Sequence, residues 1–164
     1  IENIFQNIAI HDIDSIEQRL WFGTRAGVFI YSSIQSQLMQ MSDVGRKNFP
    51  EQLRNVVSLE QYGSFIYVVS DIGIIEFDIE EKEWNLIFTS GIYSNKDVYS
   101  MALNDKFIFL GVEDGLIKIN KKTGLVRDYV FSFIGRVNEI ILDGKEIWLG
   151  TSNGLIKFLW KRHL

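Results

Sequence analysis

The apolar residues of this chain come in short bursts. Runs such as Ile66-Tyr67-Val68-Val69, Ile108-Phe109-Leu110 and Ile147-Trp148-Leu149 are rich in β-branched and aromatic residues and are bounded by turn residues. A sustained 3.6-residue helical period is absent. The runs are continuous where a half-exposed strand would alternate, so both faces of each sheet are expected to be covered. The pattern predicts strands over Val137–Leu142, Ile147–Thr151 and Leu155–Trp160. Asp143-Gly144-Lys145 and Ser152-Asn153-Gly154 turn the chain between them, the second as a three-residue hairpin closed by a positive φ at Gly154. Upstream, strands are predicted over Met101–Asn104, Phe107–Val112, Leu116–Asn120 and Leu125–Phe131. Before those come Val56–Glu60, Phe65–Ser70, Ile74–Asp78 and Trp84–Thr89, and first Ile8–His11, Leu20–Thr24, Val28–Tyr31 and Gln37–Met41.

These strands form a repeat. Trp21-Phe22-Gly23-Thr24-Arg25-Ala26-Gly27-Val28 returns as Tyr67-Val68-Val69-Ser70-Asp71-Ile72-Gly73-Ile74. It returns again as Phe109-Leu110-Gly111-Val112-Glu113-Asp114-Gly115-Leu116 and as Trp148-Leu149-Gly150-Thr151-Ser152-Asn153-Gly154-Leu155. A β-rich repeat of about 42 residues is the sequence sign of a propeller blade. The expected fold is all-β, a β-propeller of four repeats (approximately 4–52, 53–95, 96–134 and 135–164) forming a single domain. Gly23, Gly111 and Gly150 sit inside strands, where glycine marks the close approach of a neighbour; Val69 replaces it in the second repeat. Tyr31, Phe77, Ile119 and Phe158 recur in register and read as blade packing. The fourth repeat lacks its outer strand. A larger propeller is therefore expected, or self-association through the exposed edge of repeat 4. The competing expectation is a closed four-bladed ring in which Ile1–Phe5 pairs with Leu155–Trp160. The start at Ile1 suggests a piece of a longer protein.

Composition narrows the function. Of 164 residues, 46% are apolar and 23% charged, and the net charge of −4 offers no footprint for nucleic acid. No cysteine is present, which excludes disulfides and thiolate metal sites. No apolar run approaches the roughly 20 residues of a membrane span, and no signal peptide is visible.

The string Ile147-Trp148-Leu149-Gly150-Thr151-Ser152-Asn153-Gly154-Leu155, preceded by Asp143-Gly144, resembles the two-component regulator propeller repeat. The pattern there is an aromatic, an aliphatic, Gly-Thr, two variable residues and Gly-Leu. The first repeat keeps Trp21, Gly23, Thr24 and Gly27, the third keeps Gly111 and Gly115-Leu116, and the second keeps little beyond Gly73. The resemblance implies a non-catalytic ligand-binding or sensing module of a bacterial extracytoplasmic regulator. A related propeller in virginiamycin B lyase supplies the enzymatic alternative, a lyase or hydrolase. A third is an interaction scaffold with no small ligand.

Ligand contacts are expected on the rim formed by the turn between the second and third strands of each blade and by the interblade loops. The candidate residues are Arg25, Asp71, Glu113 and Asn153, with Tyr93 and Arg136 from the loops. Asp114, Ser152, Arg46, Lys47, Phe49, Arg54, Asn95 and Lys96 lie nearby. Aromatics beside mixed hydrogen-bonding groups suit an oligosaccharide or a peptide. Pro50-Glu51-Gln52-Leu53 predicts a single helical turn capped by Asn48. Asp12, Asp14 and Glu17 are placed in a first hairpin loop, but their spacing does not match a calcium loop. The two histidines, His11 and His163, have no nucleophile or ligand partners in the sequence pattern. No catalytic residue, metal site or cofactor is assigned.

Overall fold

The predicted runs become strands paired into four small antiparallel sheets. The computed structural model describes residues 7–44, 47–93 and 96–160. Blade 1 comprises β1 (Ile10–Ile16), β2 (Arg19–Thr24), β3 (Gly27–Ser32) and β4 (Gln37–Gln40). Blade 2 comprises β5 (Ser58–Tyr62), β6 (Phe65–Ser70), β7 (Gly73–Asp78) and β8 (Glu83–Thr89). Blade 3 comprises β9 (Val98–Leu103), β10 (Phe107–Val112), β11 (Gly115–Asn120) and β12 (Val126–Val130). Blade 4 comprises β13 (Val137–Asp143), β14 (Glu146–Thr151) and β15 (Gly154–Phe158), three strands among the described residues. The fold is a β-propeller. One turn of α-helix, α1 (Met41–Val44), follows β4, and a 3-10 turn occupies Ser90–Tyr93. The chain divides into two compact units, Ile1–Gly91 and Ile92–Leu164, with two blades in each.

Each blade has two faces, set by the period of two along its strands. The forward face carries the aromatic six residues before the motif glycine: Trp21, Tyr67, Phe109 and Trp148. The other is the backward face. In the first unit, Ile16, Trp21, Val28 and Ile30 of blade 1's forward face join Leu59, Ile66, Val68, Ile75 and Phe77 of blade 2's backward face in one core. Trp21 meets Phe77 at 5.9 Å between ring centroids, Phe77 meets Trp84 at 4.7 Å, and Phe49 closes on Trp84 edge-on at 5.4 Å. In the second unit Ala102, Phe109 and Leu116 of blade 3 pack with Ile140, Ile147 and Leu149 of blade 4. Trp160 is buried in that core, edge-on to Phe109 at 5.3 Å and Phe107 at 5.6 Å.

The in-strand glycines mark close approach where the next blade of the same unit follows. A Cβ on Gly23 would lie 2.8 Å from Val56 Cγ1, and one on Gly111 would lie 2.6 Å from the Val137 carbonyl. Gly150 meets only Glu139 Cβ of its own sheet, at 3.3 Å. Opposite each of these glycines the first strand bulges, between Ile10 and Asp12, near Gly111, and between Val137 and Glu139.

Several expectations need correction. The segment holding Asp12 and Asp14 is strand β1, not a loop. The Asp12 carboxylate accepts hydrogen bonds from Leu59 N at 2.8 Å and Ser58 Oγ at 3.0 Å, which tie it to the next blade. The second-to-third-strand hairpins have two-residue loops, with Thr24 paired to Gly27 and Thr151 to Gly154. Gly154 does take a positive φ, of 139°. Met41 leaves the fourth strand for α1. The turn at Pro50–Leu53 forms, with Leu53 N donating to Pro50 O at 2.8 Å, but the Asn48 amide donates to Glu83 Oε1 at 2.7 Å instead of capping it. Trp148 is only partly buried. The proposed pairing of Ile1–Phe5, and residues Arg46, Asn95 and His163, lie outside the described residues.

Candidate functional site

The second-to-third-strand turns are built to hold their shape. Thr24 Oγ1 donates to Gly27 O at 2.8 Å and accepts from Ala26 N at 3.0 Å. Thr151 repeats both bonds, to Gly154 O at 2.9 Å and from Asn153 N at 3.2 Å. Blade 3 has Val112 here. Its Glu113-Asp114 turn is fixed from the interblade loop instead: Asp114 Oδ1 accepts from Gly135 N at 2.7 Å, and Asp114 N donates to Gly135 O at 3.0 Å.

In the first unit, Arg25 and Asp71 are both exposed and meet through Asn55. Asn55 N donates to Arg25 O at 3.0 Å, and Asn55 Nδ2 donates to Asp71 Oδ2 at 3.0 Å. Asn55 holds a positive φ of 47° to do so. Lys47 pairs with Glu83 at 2.9 Å, and that hydrogen bond and charge hold the Lys47 ammonium above its ordinary pKa.

In the second unit, Glu113, Arg136 and Asn153 gather on the interblade segment between β12 and β13. Arg136 Nε lies 3.7 Å from Glu113 Oε2, and its guanidinium stands over the Tyr99 ring at 5.4 Å. Arg136 N donates to Ser152 Oγ at 2.9 Å, and Asn153 Nδ2 donates to Phe133 O at 2.9 Å. Phe133 itself is 86% exposed, with a φ of 67° that a bulky residue rarely adopts. Sequence reasoning missed Phe133, Tyr99 and Asn55. An aromatic followed closely by Gly135 inside an interblade loop was the available signal for the first. Tyr93 is buried, so it supplies no exposed rim ring.

The second-unit group offers an exposed aromatic, a guanidinium, a carboxylate and a carboxamide. The Glu113–Arg136 pair is long and solvated and costs little to open. Such a set can stack on a sugar ring or a peptide side chain and hydrogen-bond its polar groups. Among the described residues, no three His, Cys, Asp or Glu side chains come together as metal ligands. Arg54 is exposed, and Lys96 pairs with Asp128 at 2.7 Å. At the opposite end of blade 3, a recess of about 300 Å³ lies between the β9–β10 and β11–β12 turns, lined by Asp105, Lys106, Asn120, Lys121, Lys122 and Thr123.

The blades, their turns and the interblade loops define a propeller-type module. No protein-family profile matches the chain. No curated protein matches its sequence. Solved structures do match its fold. The chain is similar to the extracellular domain of BT3049, described as a hybrid two-component system of B. thetaiotaomicron, at 20% identity and a TM-score of 0.71; the match covers 96% of this chain and 23% of that one. It is similar to the extracellular domain of BT4673, described as a one-component system of the same organism, at 22% identity and a TM-score of 0.64, covering 91% of this chain and 20% of that one. It is also similar to the computationally designed protein Ika4, at 15% identity and a TM-score of 0.67, covering 96% and 95% of the two chains. The chain thus spans about a fifth of the two bacterial extracellular domains and nearly the whole of the designed protein.

Proposed function

We propose that this chain is a non-catalytic ligand-binding module of a bacterial extracytoplasmic sensor or regulator. The observation that carries the reading is the shared fold with extracellular domains of two such systems, joined to the Trp-Leu-Gly-Thr repeat string. The ligand, an oligosaccharide or a peptide, contacts the rim through Phe133, Arg136, Glu113 and Asn153, with Arg25 and Asp71 as the matching groups of the first unit. The backbone of these turns is already fixed by hydrogen bonds, so binding carries little ordering cost.

The test is titration calorimetry against oligosaccharide and peptide panels. Phe133→Ala and Arg136→Ala should each weaken the best binder about tenfold, roughly 1.4 kcal/mol, because aromatic and Arg anchors carry most binding energy. Thermal unfolding should not move, since both side chains are exposed. Conversion of the bound molecule to product would overturn the non-catalytic reading. The recess at Lys106, Lys121 and Lys122 favours a second placement of the site, at the opposite turns. Loss of binding in Lys106→Ala with Arg136→Ala unaffected would establish that one instead.

A further inference from the structure

The repeat provides its own control. The residue one place after the motif glycine lies on the forward face and is Val28, Ile74, Leu116 or Leu155. The first three are buried, whereas Leu155 is 68% exposed. Beside it Ile141, cross-strand from Trp148, is 59% exposed. Trp148 is only partly buried, although Trp21, Tyr67 and Phe109 at the same position are buried. The backward face behaves alike at the other end of the chain. The residue seven places before the glycine is Leu20, Ile66, Ile108 or Ile147; the last three are buried and Leu20 is 40% exposed. The first-strand residue of the same face is Ile13, Leu59, Met101 or Ile140, and only Ile13, at 57%, is exposed.

We propose that the forward face of blade 4 binds the backward face of blade 1 of a second copy of this chain. The chain itself shows twice what a forward face receives. Blade 1 meets the backward face of blade 2 in one core, and blade 3 meets that of blade 4 in the other. The exposed residues of the two faces, Ile141 and Leu155 on blade 4 and Ile13 and Leu20 on blade 1, are apolar, and burial of that surface drives association. Phe22 of the blade 1 face is already buried, and Asp143 and Lys157 of the blade 4 face stand where blade 1 has Ile16 and Ile30. Lys157, 5.2 Å over the Trp148 ring and 2.7 Å from Glu146, gives the blade 4 face a polar margin. The contact is made by sheet faces. A head-to-tail contact is heterologous, so damage to either face alone blocks it, and two differently damaged copies still share one intact contact.

Analytical ultracentrifugation of the 164-residue chain tests this independently of any ligand. The wild type should associate in the micromolar range. Ile141→Lys with Leu155→Lys, and separately Ile13→Lys with Leu20→Lys, should each weaken association by about 100-fold. An equimolar mixture of the two variants should regain a dimer. The milder Leu155→Thr and Leu20→Thr should each weaken it about tenfold, and circular dichroism should show every variant folded. A monomeric wild type overturns the proposal. So does normal association of the blade 1 variant, which would mean that like faces pair, or failure of the mixture to regain a dimer.

Discussion

Thr24 shows how much a single hydroxyl does in this repeat. It is buried, and its Oγ1 serves both the Gly27 carbonyl and the Ala26 amide. Thr24→Val keeps the shape and orphans both groups, so it should cost about 1–2 kcal/mol in urea unfolding. Thr151→Val, in a more exposed turn, should cost less than about 1 kcal/mol. Equal costs would show that the hydroxyl bonds are not the cause. The Gly-Thr pair stands out in the sequence as part of the repeat string, but its role as a turn staple needs the geometry. Asp12 reads as a loop residue because His11-Asp12-Ile13-Asp14-Ser15 is polar. It is a strand residue because Ser58 and Leu59 of the neighbouring blade supply donors to its carboxylate. A contact some 46 residues distant in the chain overrides the local preference. Phe133 likewise gave no apolar periodicity to read.

Between strands, the glycine opposite the bulge decides how closely two blades approach. A methyl at Gly111 would meet Ser100 Oγ of its own blade and press on the Val137 carbonyl of the next at 2.6 Å and on Val137 Cγ1 at 2.8 Å. Gly111→Ala should therefore destabilise by about 1–3 kcal/mol, the usual cost of overpacking, whereas Gly150→Ala should be nearly neutral. The same thermal melts check both, and a neutral Gly111→Ala would refute the packing argument. Blades, strand order and the inward aromatics were legible because each repeat states them again. Which aromatic is covered was not, since Trp21 and Trp148 occupy one motif position and differ in burial. Lys118 also escaped notice. It is 6% exposed and has no ion-pair partner among the described residues. Its ammonium lies 4.8 Å from the Phe107 ring centroid, 5.5 Å from that of Trp160 and 5.8 Å from that of Tyr129. Cation–π attraction offsets much of the desolvation cost. Lys118→Met should thus stay within about 1 kcal/mol of the wild type, while Lys118→Glu should lose several, because the ring faces repel an anion.

For the molecule as a whole, alkaline pH is a lever. Burial, and then the hydrogen bond to Glu76, hold the Tyr67 phenol above its ordinary value of 10.0. The folded protein therefore keeps this proton when the unfolded chain releases it. The contribution is complete below pH 10 and is lost as pH rises beyond it, at about 1.4 kcal/mol per pH unit until the folded phenol ionises. Stability of Tyr67→Phe should lack that slope, and identical slopes in the two proteins would exclude Tyr67 as its source. Another whole-chain consequence follows from strand order. Among the described residues, each strand forms its sheet ladder only with strands adjacent in sequence. The loop closed to form each strand pair is then short, and non-local strand pairing, the usual brake on all-β folding, is small. Refolding after a denaturant jump should finish in about milliseconds, where β-sandwiches of similar size can take seconds. On the ribosome, each described blade can complete its pairing before the next has been synthesised, and none of the described strands of an early blade waits for a sheet partner in a later one.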